Sequence, residues 1–264
     1  MAVSFFYQGN PCRTEGTLAT LPHPAKGYFI ANGFTAPPDR PIQEGDQIWF
    51  IPEGQLPSAA AYAQILSARY TPSVYEKLKQ AKVAIAGLGG LGSHIALFLA
   101  RVGVGELLLV DFDSVDFTNL GRQNYTLADL GRPKTMATAD HLSAVNPILQ
   151  VKTAQVKVTA ENAPSLFQSY PIVCEAFDQP ENKAAFVNAL LANTTCTLIT
   201  GSGMAGTGSA NDIHTRRAMG RLYICGDETT DVQEGTSLFA SRVAVCAGHQ
   251  AHMALRLILG DTSP

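Results

Sequence analysis

At 264 residues the chain has room for one large α/β domain and a small module, and 46% hydrophobic against 16% charged residues describes a folded protein with a substantial core. A net charge of −3 argues against nucleic acid or an anionic membrane as a bulk partner. No run of about eighteen apolar residues suited to a bilayer is present, and MAVSFFYQGN lacks a basic start and a long apolar stretch, so a cytoplasmic protein without a membrane partner is expected. The five cysteines form no C-x-x-C pair, which speaks against structural zinc and a disulfide framework.

Residues 1–57 read as a small β module. AVSFFYQ, GYFIANG and DQIWFIP are strands, with turns at Gly9-Asn10, Pro37-Pro38-Asp39 and Glu44-Gly45-Asp46. Residues 58–80 read as a helical connecting arm broken at Tyr70-Thr71-Pro72, where Thr71 suits an N-cap and Pro72 a first helical turn. Glycine is absent between Gln55 and Gln80, so the arm is expected to be ordered.

From residue 81 to 264 strands and helices alternate, which predicts a mainly parallel, Rossmann-like sheet with helices on both faces. The strand Lys82–Ala86 empties into Gly87, Gly89, Gly90 and Gly92, a helical pattern follows (Leu91, Ile95, Phe98, Val102), and a second strand runs Glu106–Val110. This is G-x-G-x-x-G between strand and helix. Its glycines allow a tight turn, close approach of a phosphate to backbone, and close packing of helix on strand, with orphan N–H groups at the helix start. Asp111 stands at the end of the second strand, where such folds place a ribose-binding carboxylate. A glycine turn that merely permits packing is the competing explanation.

The segment leaving that strand carries Asp113, Asn119, Arg122, Gln123 and Lys134. A dehydrogenase binding a two-charge pyrophosphate has no need of so many cationic and amide groups, whereas Arg with its planar fork and Lys with its point charge suit a triphosphate. Further on, helices are expected over 133–145, 160–168 and 181–191, strands over 150–158, 171–177 and 195–200. Asp178 follows the second of these strands, where Gly87, Asp111 and Asp178 should converge on one crevice beyond the strand ends. A lone Asp beside a triphosphate is the usual protein share of a magnesium site, and the same residue also suits a helix cap. Met136, Ala139, Leu142 and Val145 are expected to share one buried side. Past residue 200 come the glycine-rich GSGMAGTGS, a loop and strand over 211–224, the acidic DETTDVQEG read as exposed and mobile, and a long helix over 238–259 whose His249 and His252 lack the spacing of a zinc pair.

GLGGLG, then VDFDxVxxxNLxRQ, then GxPK resembles the adenylating core shared by ThiF-type and MoeB-type sulfur-carrier adenylyltransferases and ubiquitin-activating enzymes. "ANG" and "IQEGDQIWFI" in residues 1–57 resemble the β-grasp (ubiquitin-like) fold of ThiS-like carriers, although two prolines interrupt the stretch 17–26 where a carrier's helix belongs, and the chain runs on past any reactive Gly-Gly terminus. The resemblance implies a zinc-free ThiF with a fused ThiS-like module, adenylating a carrier's C-terminal glycine with ATP and Mg²⁺ in thiamine thiazole biosynthesis. It implies phosphate contacts from Asn119, Arg122, Gln123 and Lys134, ribose contact from Asp111, and metal on Asp178. It also implies a homodimer in which Arg69 reaches a neighbouring site, and a cysteine desulfurase as sulfur donor. GSGMAGTGS would line the carrier's channel, and the position matching a sulfur-transfer cysteine of relatives is Asp231, with Cys225 just before it. A molybdopterin carrier or a modified tRNA base as acceptor, a nicotinamide-dependent oxidoreductase, and a non-catalytic nucleotide-binding scaffold all remain open on the sequence.

Overall fold

A computed structural model of the chain describes residues 1–24, 26–232 and 236–264. These divide into two compact units, Met1–Lys77 and Leu78–Pro264, each with its own sheet. In the first, β1 (Val3–Tyr7) and β2 (Asn10–Thr14) form one antiparallel hairpin, β3 (Gly27–Ala31) and β4 (Phe34–Ala36) another, and β5 (Gln47–Pro52) lies between them, parallel to β1. Both hairpins turn on consecutive positive-φ residues, Gln8-Gly9 (52° and 78°) and Asn32-Gly33 (53° and 82°), the backbone a two-residue turn needs to follow strand twist. Phe5, Phe29, Ile48 and Phe50 pack with Leu18, which comes from a short 3-10 turn over Leu18–Thr20. That turn is the only helical structure among the described residues of 17–26, and Ala25 lies outside them.

α1 (Ala59–Tyr70) is capped by Ser58, whose hydroxyl accepts from Ala61 N–H at 3.2 Å. α2 (Pro72–Gln80) starts on its proline, with Thr71 Oγ1 accepting from Val74 N–H at 3.5 Å. The sequence predicts both helices as a separate arm over 58–80. In the structure α1, and α2 as far as Lys77, cluster with the N-terminal sheet.

The second unit runs β6 (Lys82–Ala86), α3 (Gly90–Val102), β7 (Glu106–Val110), α4 (Lys134–Val145), β8 (Gln150–Ala154), α5 (Ala163–Phe167), β9 (Ile172–Glu175), α6 (Pro180–Asn193), β10 (Thr197–Gly201), β11 (His214–Met219), β12 (Leu222–Gly226) and α7 (Ala240–Leu259). Its seven-stranded sheet has the order β11-β12-β10-β9-β6-β7-β8 and is parallel except for β11. This is the Rossmann-like α/β architecture expected from the alternation. β7 lies on one side of β6 and β9 on the other, so the sheet changes its direction of growth at β6 and opens a crevice beyond the ends of β6 and β9. The central strands are buried on both faces and carry near-continuous apolar runs for that reason.

Several local expectations change. β8 stops at Ala154, α5 is limited to 163–167, and the loop and strand expected over 211–224 are the β11–β12 hairpin. Met136 is 47% exposed because the buried stripe of α4 passes through Lys134, Ala137, Thr138 and Leu142. Within DETTDVQEG, Asp227 is buried, and residues 233–235 lie outside the described residues. All five cysteines are free; Cys12 on β2 is half-buried, while Cys174, Cys196, Cys225 and Cys246 are buried. Burial pushes the Cys225 thiol up to about 11 and raises those of Cys174, Cys196 and Cys246. No helix among the described residues is long and apolar enough to cross a membrane.

Candidate active site

The crevice is built on three glycines with different duties. Gly87 leaves β6 at φ +91° and donates its N–H to Val110 O at 2.8 Å; a Cβ there would lie 2.9 Å from Ala176 O, on the loop that carries Asp178. A Cβ on Gly92 would lie 1.8 Å from Gly87 O, so α3 packs on the turn only because that position is bare. Gly89, the N-cap of α3, differs: its nearest neighbour to an added Cβ is Gln123 Nε2, at 3.7 Å. Gly89 thus presents bare backbone to open space at the positive end of a thirteen-residue helix.

Gln123 closes over this point. Its side chain is buried and its Oε1 has no hydrogen-bond partner. An orphan acceptor in such a place is costly unless something donates to it. Arg122 crosses the same helix start: a Cβ on Gly90 would lie 3.6 Å from Arg122 O and 3.9 Å from its Cγ. Its guanidinium is half-buried, donates to Thr118 O at 3.3 Å, and forms no ion pair among the described residues.

The Asn119 side chain is engaged within its own turn. Its Oδ1 accepts from Asp116 N–H at 3.1 Å and its Nδ2 donates to Asp116 Oδ2 at 3.0 Å, a reciprocal cap on the 3-10 turn Phe117–Gly121. Its carbonyl receives the N–H groups of Arg122 (3.2 Å) and Gln123 (2.9 Å), so it shapes the backbone that presents both. Asp111 is also engaged, accepting from Leu88 N–H at 2.6 Å and from Asp113 N–H at 2.8 Å. Burial raises its pKa, against those two donors and Lys134. Each of its oxygens keeps a lone pair for another donor. Lys134, buried at the start of α4, sends Nζ to Asp113 Oδ2 at 3.1 Å, and Asp113 is half exposed. Tyr125 ties the layers together, donating to Leu88 O at 2.8 Å beside Thr138 Oγ1 at 3.1 Å.

Contacts therefore join Gly87, Gly89, Gly90, Asp111, Asp113, Arg122, Gln123 and Lys134 around one turn. Asp178 is exposed on the loop touching Gly87, with no hydrogen bond or ion pair of its own among the described residues. Arg69 belongs to the other unit, where its guanidinium lies 5.2 Å from the ring centroid of Phe34. Cys225 is wholly buried, with Thr215 Oγ1 at 3.4 Å from its sulfur, which leaves no exposed thiol there for sulfur transfer. His249 meets Thr215 Oγ1 at 3.0 Å.

Two buried ion pairs at this end of the sheet are not legible as functional residues: Glu175 with Lys183, and Asp227 with Arg242. The available signal is a charged residue interrupting an apolar strand, as in PIVCEAF, with an opposite charge one helix turn or more beyond.

Taken together, fold and crevice define a Rossmann-like α/β domain whose glycine turn is flanked by an arginine and a lysine. The chain belongs to the ThiF family, whose profile matches residues 62–264. Among curated relatives, a sulfur carrier protein adenylyltransferase of Thermus thermophilus is 36% identical over 118 residues, 44% of each chain. The probable adenylyltransferase/sulfurtransferase MoeZ of Mycobacterium tuberculosis is 39% identical over 104 residues, 39% of this chain and 26% of that one. The chain thus spans less than half the length of these relatives. Among solved structures, E. coli tRNA N6-threonylcarbamoyladenosine dehydratase, TcdA, in complex with ATP, shares the fold with a TM-score of 0.67 at 22% identity, over 74% of this chain and 92% of that one. E. coli MccB with ATP has a TM-score of 0.55 at 26% identity, over 80% and 66%.

Proposed function

We propose that this chain is an ATP-dependent adenylyltransferase that joins AMP to the C-terminal glycine carboxylate of a ubiquitin-like, ThiS-type sulfur carrier, releasing pyrophosphate. The observation that carries this reading is the orphan Gln123 Oε1 beside open Gly89, with Arg122 free of any carboxylate at the same helix start. That arrangement fits a polyanionic nucleotide: bare N–H groups and a guanidinium for phosphate oxygens, and an acceptor for a donor on the ligand. The ATP- and carrier-related names of the relatives agree with it.

The chain's own work is positioning and charge. A glycine carboxylate is already ionised at neutral pH, so no strong base is required; it must be held in line with the α-phosphorus. Arg122 and Lys134 stabilise the charge that grows on the phosphate oxygens, Lys134 by sharing its donors between Asp113 and ligand. Asn119 acts through the turn it caps, and Asp111 accepts from ribose on its free lone pairs. The described residues hold no group of three or more His, Cys, Asp or Glu placed to share a metal. The exposed, unpartnered Asp178 is the residue that would hold a magnesium, which as a hard cation suits one protein carboxylate beside nucleotide phosphates. Such an ion would supply positive charge to the leaving pyrophosphate.

A homodimer in which Arg69 serves a neighbouring copy, a desulfurase donor, and a role in thiamine thiazole synthesis belong to the same proposal. So does the reading of residues 1–57 as a β-grasp module, supported by the order β2-β1-β5-β3-β4 with its first and last strands parallel at the centre. Such a module has no free glycine carboxylate and is not itself a substrate. The test is ATP–pyrophosphate exchange with purified ThiS-type and molybdopterin-type carriers and with modified tRNA, beside calorimetry with ATP and NAD. Exchange promoted by the ThiS-type carrier is expected. Exchange with another acceptor alone reassigns the substrate, and NAD binding as tight as Mg-ATP overturns the adenylyltransferase reading.

A further inference from the structure

The Asp178 carboxylate has no side-chain or backbone partner of its own, so its position is set by the short loop between β9 and α6. That loop is anchored from beneath by Glu175, the last residue of β9, which is fully buried. Glu175 Oε1 accepts from Phe177 N–H at 2.6 Å, which fixes the backbone immediately ahead of Asp178. Its Oε2 accepts from Lys183 Nζ at 2.8 Å and from the Thr200 hydroxyl. Lys183 projects from the second turn of α6, 22% exposed, and donates also to Gly201 O at 2.6 Å. The Glu175 carbonyl in turn receives Gln250 Nε2 from α7 at 3.0 Å. The ends of β9 and β10 and the start of α6 therefore meet at one buried ion pair directly under the loop.

Stability alone is a poor reason for such a pair, because an apolar substitute of similar volume often serves as well. Its placement supplies two things an apolar pair does not. Glu175 is the only acceptor described for Phe177 N–H, and it sets the loop's geometry. Lys183 pairs with the Glu175 carboxylate, so that the exposed Asp178 carboxylate on the loop above has no cation of its own among the described residues.

We infer that Glu175 and Lys183 are positioning residues for Asp178, holding its carboxylate where a divalent cation can be shared with nucleotide phosphates; this rests on the metal role proposed for Asp178. Removing a group hydrogen-bonded to a metal ligand weakens metal binding by about 10- to 100-fold, and because Glu175 acts one residue away, through the Phe177 backbone, the low end of that range is expected. The test uses the full chain, titrated with Mn²⁺ by electron paramagnetic resonance in the presence of α,β-methylene-ATP, with nucleotide affinity measured separately in EDTA. Lys183→Met should weaken Mn²⁺ binding about tenfold while metal-free nucleotide affinity holds, and Lys183→Arg should restore most of the loss. The double change Glu175→Met with Lys183→Met leaves no unpaired buried charge, so it keeps the test open if Lys183→Met does not fold; it too should bind Mn²⁺ weakly. Wild-type Mn²⁺ affinity in the folded variants, with only the thermal midpoint lowered, overturns the positioning role. Asp178→Asn separates the two ideas. If it weakens Mn²⁺ and the Lys183 variants do not, the inference fails while the Asp178 reading stands; if it leaves Mn²⁺ unchanged, the reading fails and takes the inference with it.

Discussion

The chain has two glycine-rich turns at the same end of the sheet, GLGGLG after β6 and GSGMAGTGS after β10, and they are held in unlike ways. In the first, the tightest constraint is local: the backbone of Gly87 itself occupies the space a Cβ on Gly92 would need, with Ala176 O crowding Gly87 less closely from outside. In the second, the constraint arrives from far along the chain. Gly203 (φ +76°) makes room for Asp227, whose Oδ1 would lie 2.2 Å from an added Cβ. Asp227 accepts from Thr229 and Thr230 N–H at 2.9 and 2.8 Å and pairs with Arg242, which donates to Gly208 O at 2.6 Å and to Ser209 O. The first turn leaves the space around Gly89 open, whereas in the second the Asp227 carboxylate fills the space beside Gly203.

The sharpest way to break the first turn is Gly92→Ala, which forces α3 off β6. It should cost about 3 kcal/mol or more and abolish ATP binding, by denaturant titration and calorimetry. For the second turn, Arg242→Met leaves Asp227 buried and unpaired and should cost about 3–5 kcal/mol. Burial alone would raise the Asp227 pKa, but the Thr230 and Thr229 donors and Arg242 outweigh it and hold the carboxyl well below its usual range. A folded pKa depressed in this way gives stability that is present above about pH 4 and is lost as pH falls toward the folded value. The advantage of wild type over Asp227→Asn should therefore shrink as pH drops from about 4 to 2, measured by unfolding at each pH.

Changes at the ligand face should act on chemistry and spare the fold. Arg122→Ala is expected to reduce carrier-dependent pyrophosphate exchange by about 10²–10³-fold with an unchanged unfolding midpoint, and Arg122→Lys should recover only part because the fork is lost. Gly89→Ala is the mildest and most telling contrast with Gly92→Ala. With no atom nearer than 3.7 Å to the new methyl, stability should stay within about 1 kcal/mol while ATP affinity falls about tenfold. Equal destabilisation by the two alanines would erase the distinction between a packing glycine and a binding one.

The same contrast explains what was legible. Lys82–Val110 is readable because its main signals lie within a few residues of one another: apolar strand, bare turn, periodic helix. The roles of Asn119 and Asp113 were not, since a residue type suited to phosphate equally suits a capping box with Asp116 or an ion pair with Lys134, and only the turn's geometry decides. Met136 was misplaced because α4 buries a polar stripe headed by Lys134 and Thr138, so apolar character did not mark its inner face. β2 and β4 escaped notice as sheet-edge strands, one containing Pro11 and the other three residues long. Glu175 and Asp227 depend on partners in α6 and α7 that no local pattern announces.

The uneven burial of the thiols gives the protein a built-in clock. Cys12 sits half-buried on an edge strand of the N-terminal unit, whereas Cys174 and Cys225 on the larger sheet, Cys196 just ahead of β10 and Cys246 on α7 are buried, with thiols that resist ionisation. The thiolate is the nucleophile toward an alkylating reagent, so modification of the buried four must wait for the larger unit to open. Mass-resolved alkylation should show one fast addition at the half-buried Cys12 followed by a slow, clustered set of four that reports the opening of the larger unit, from a single unlabelled sample.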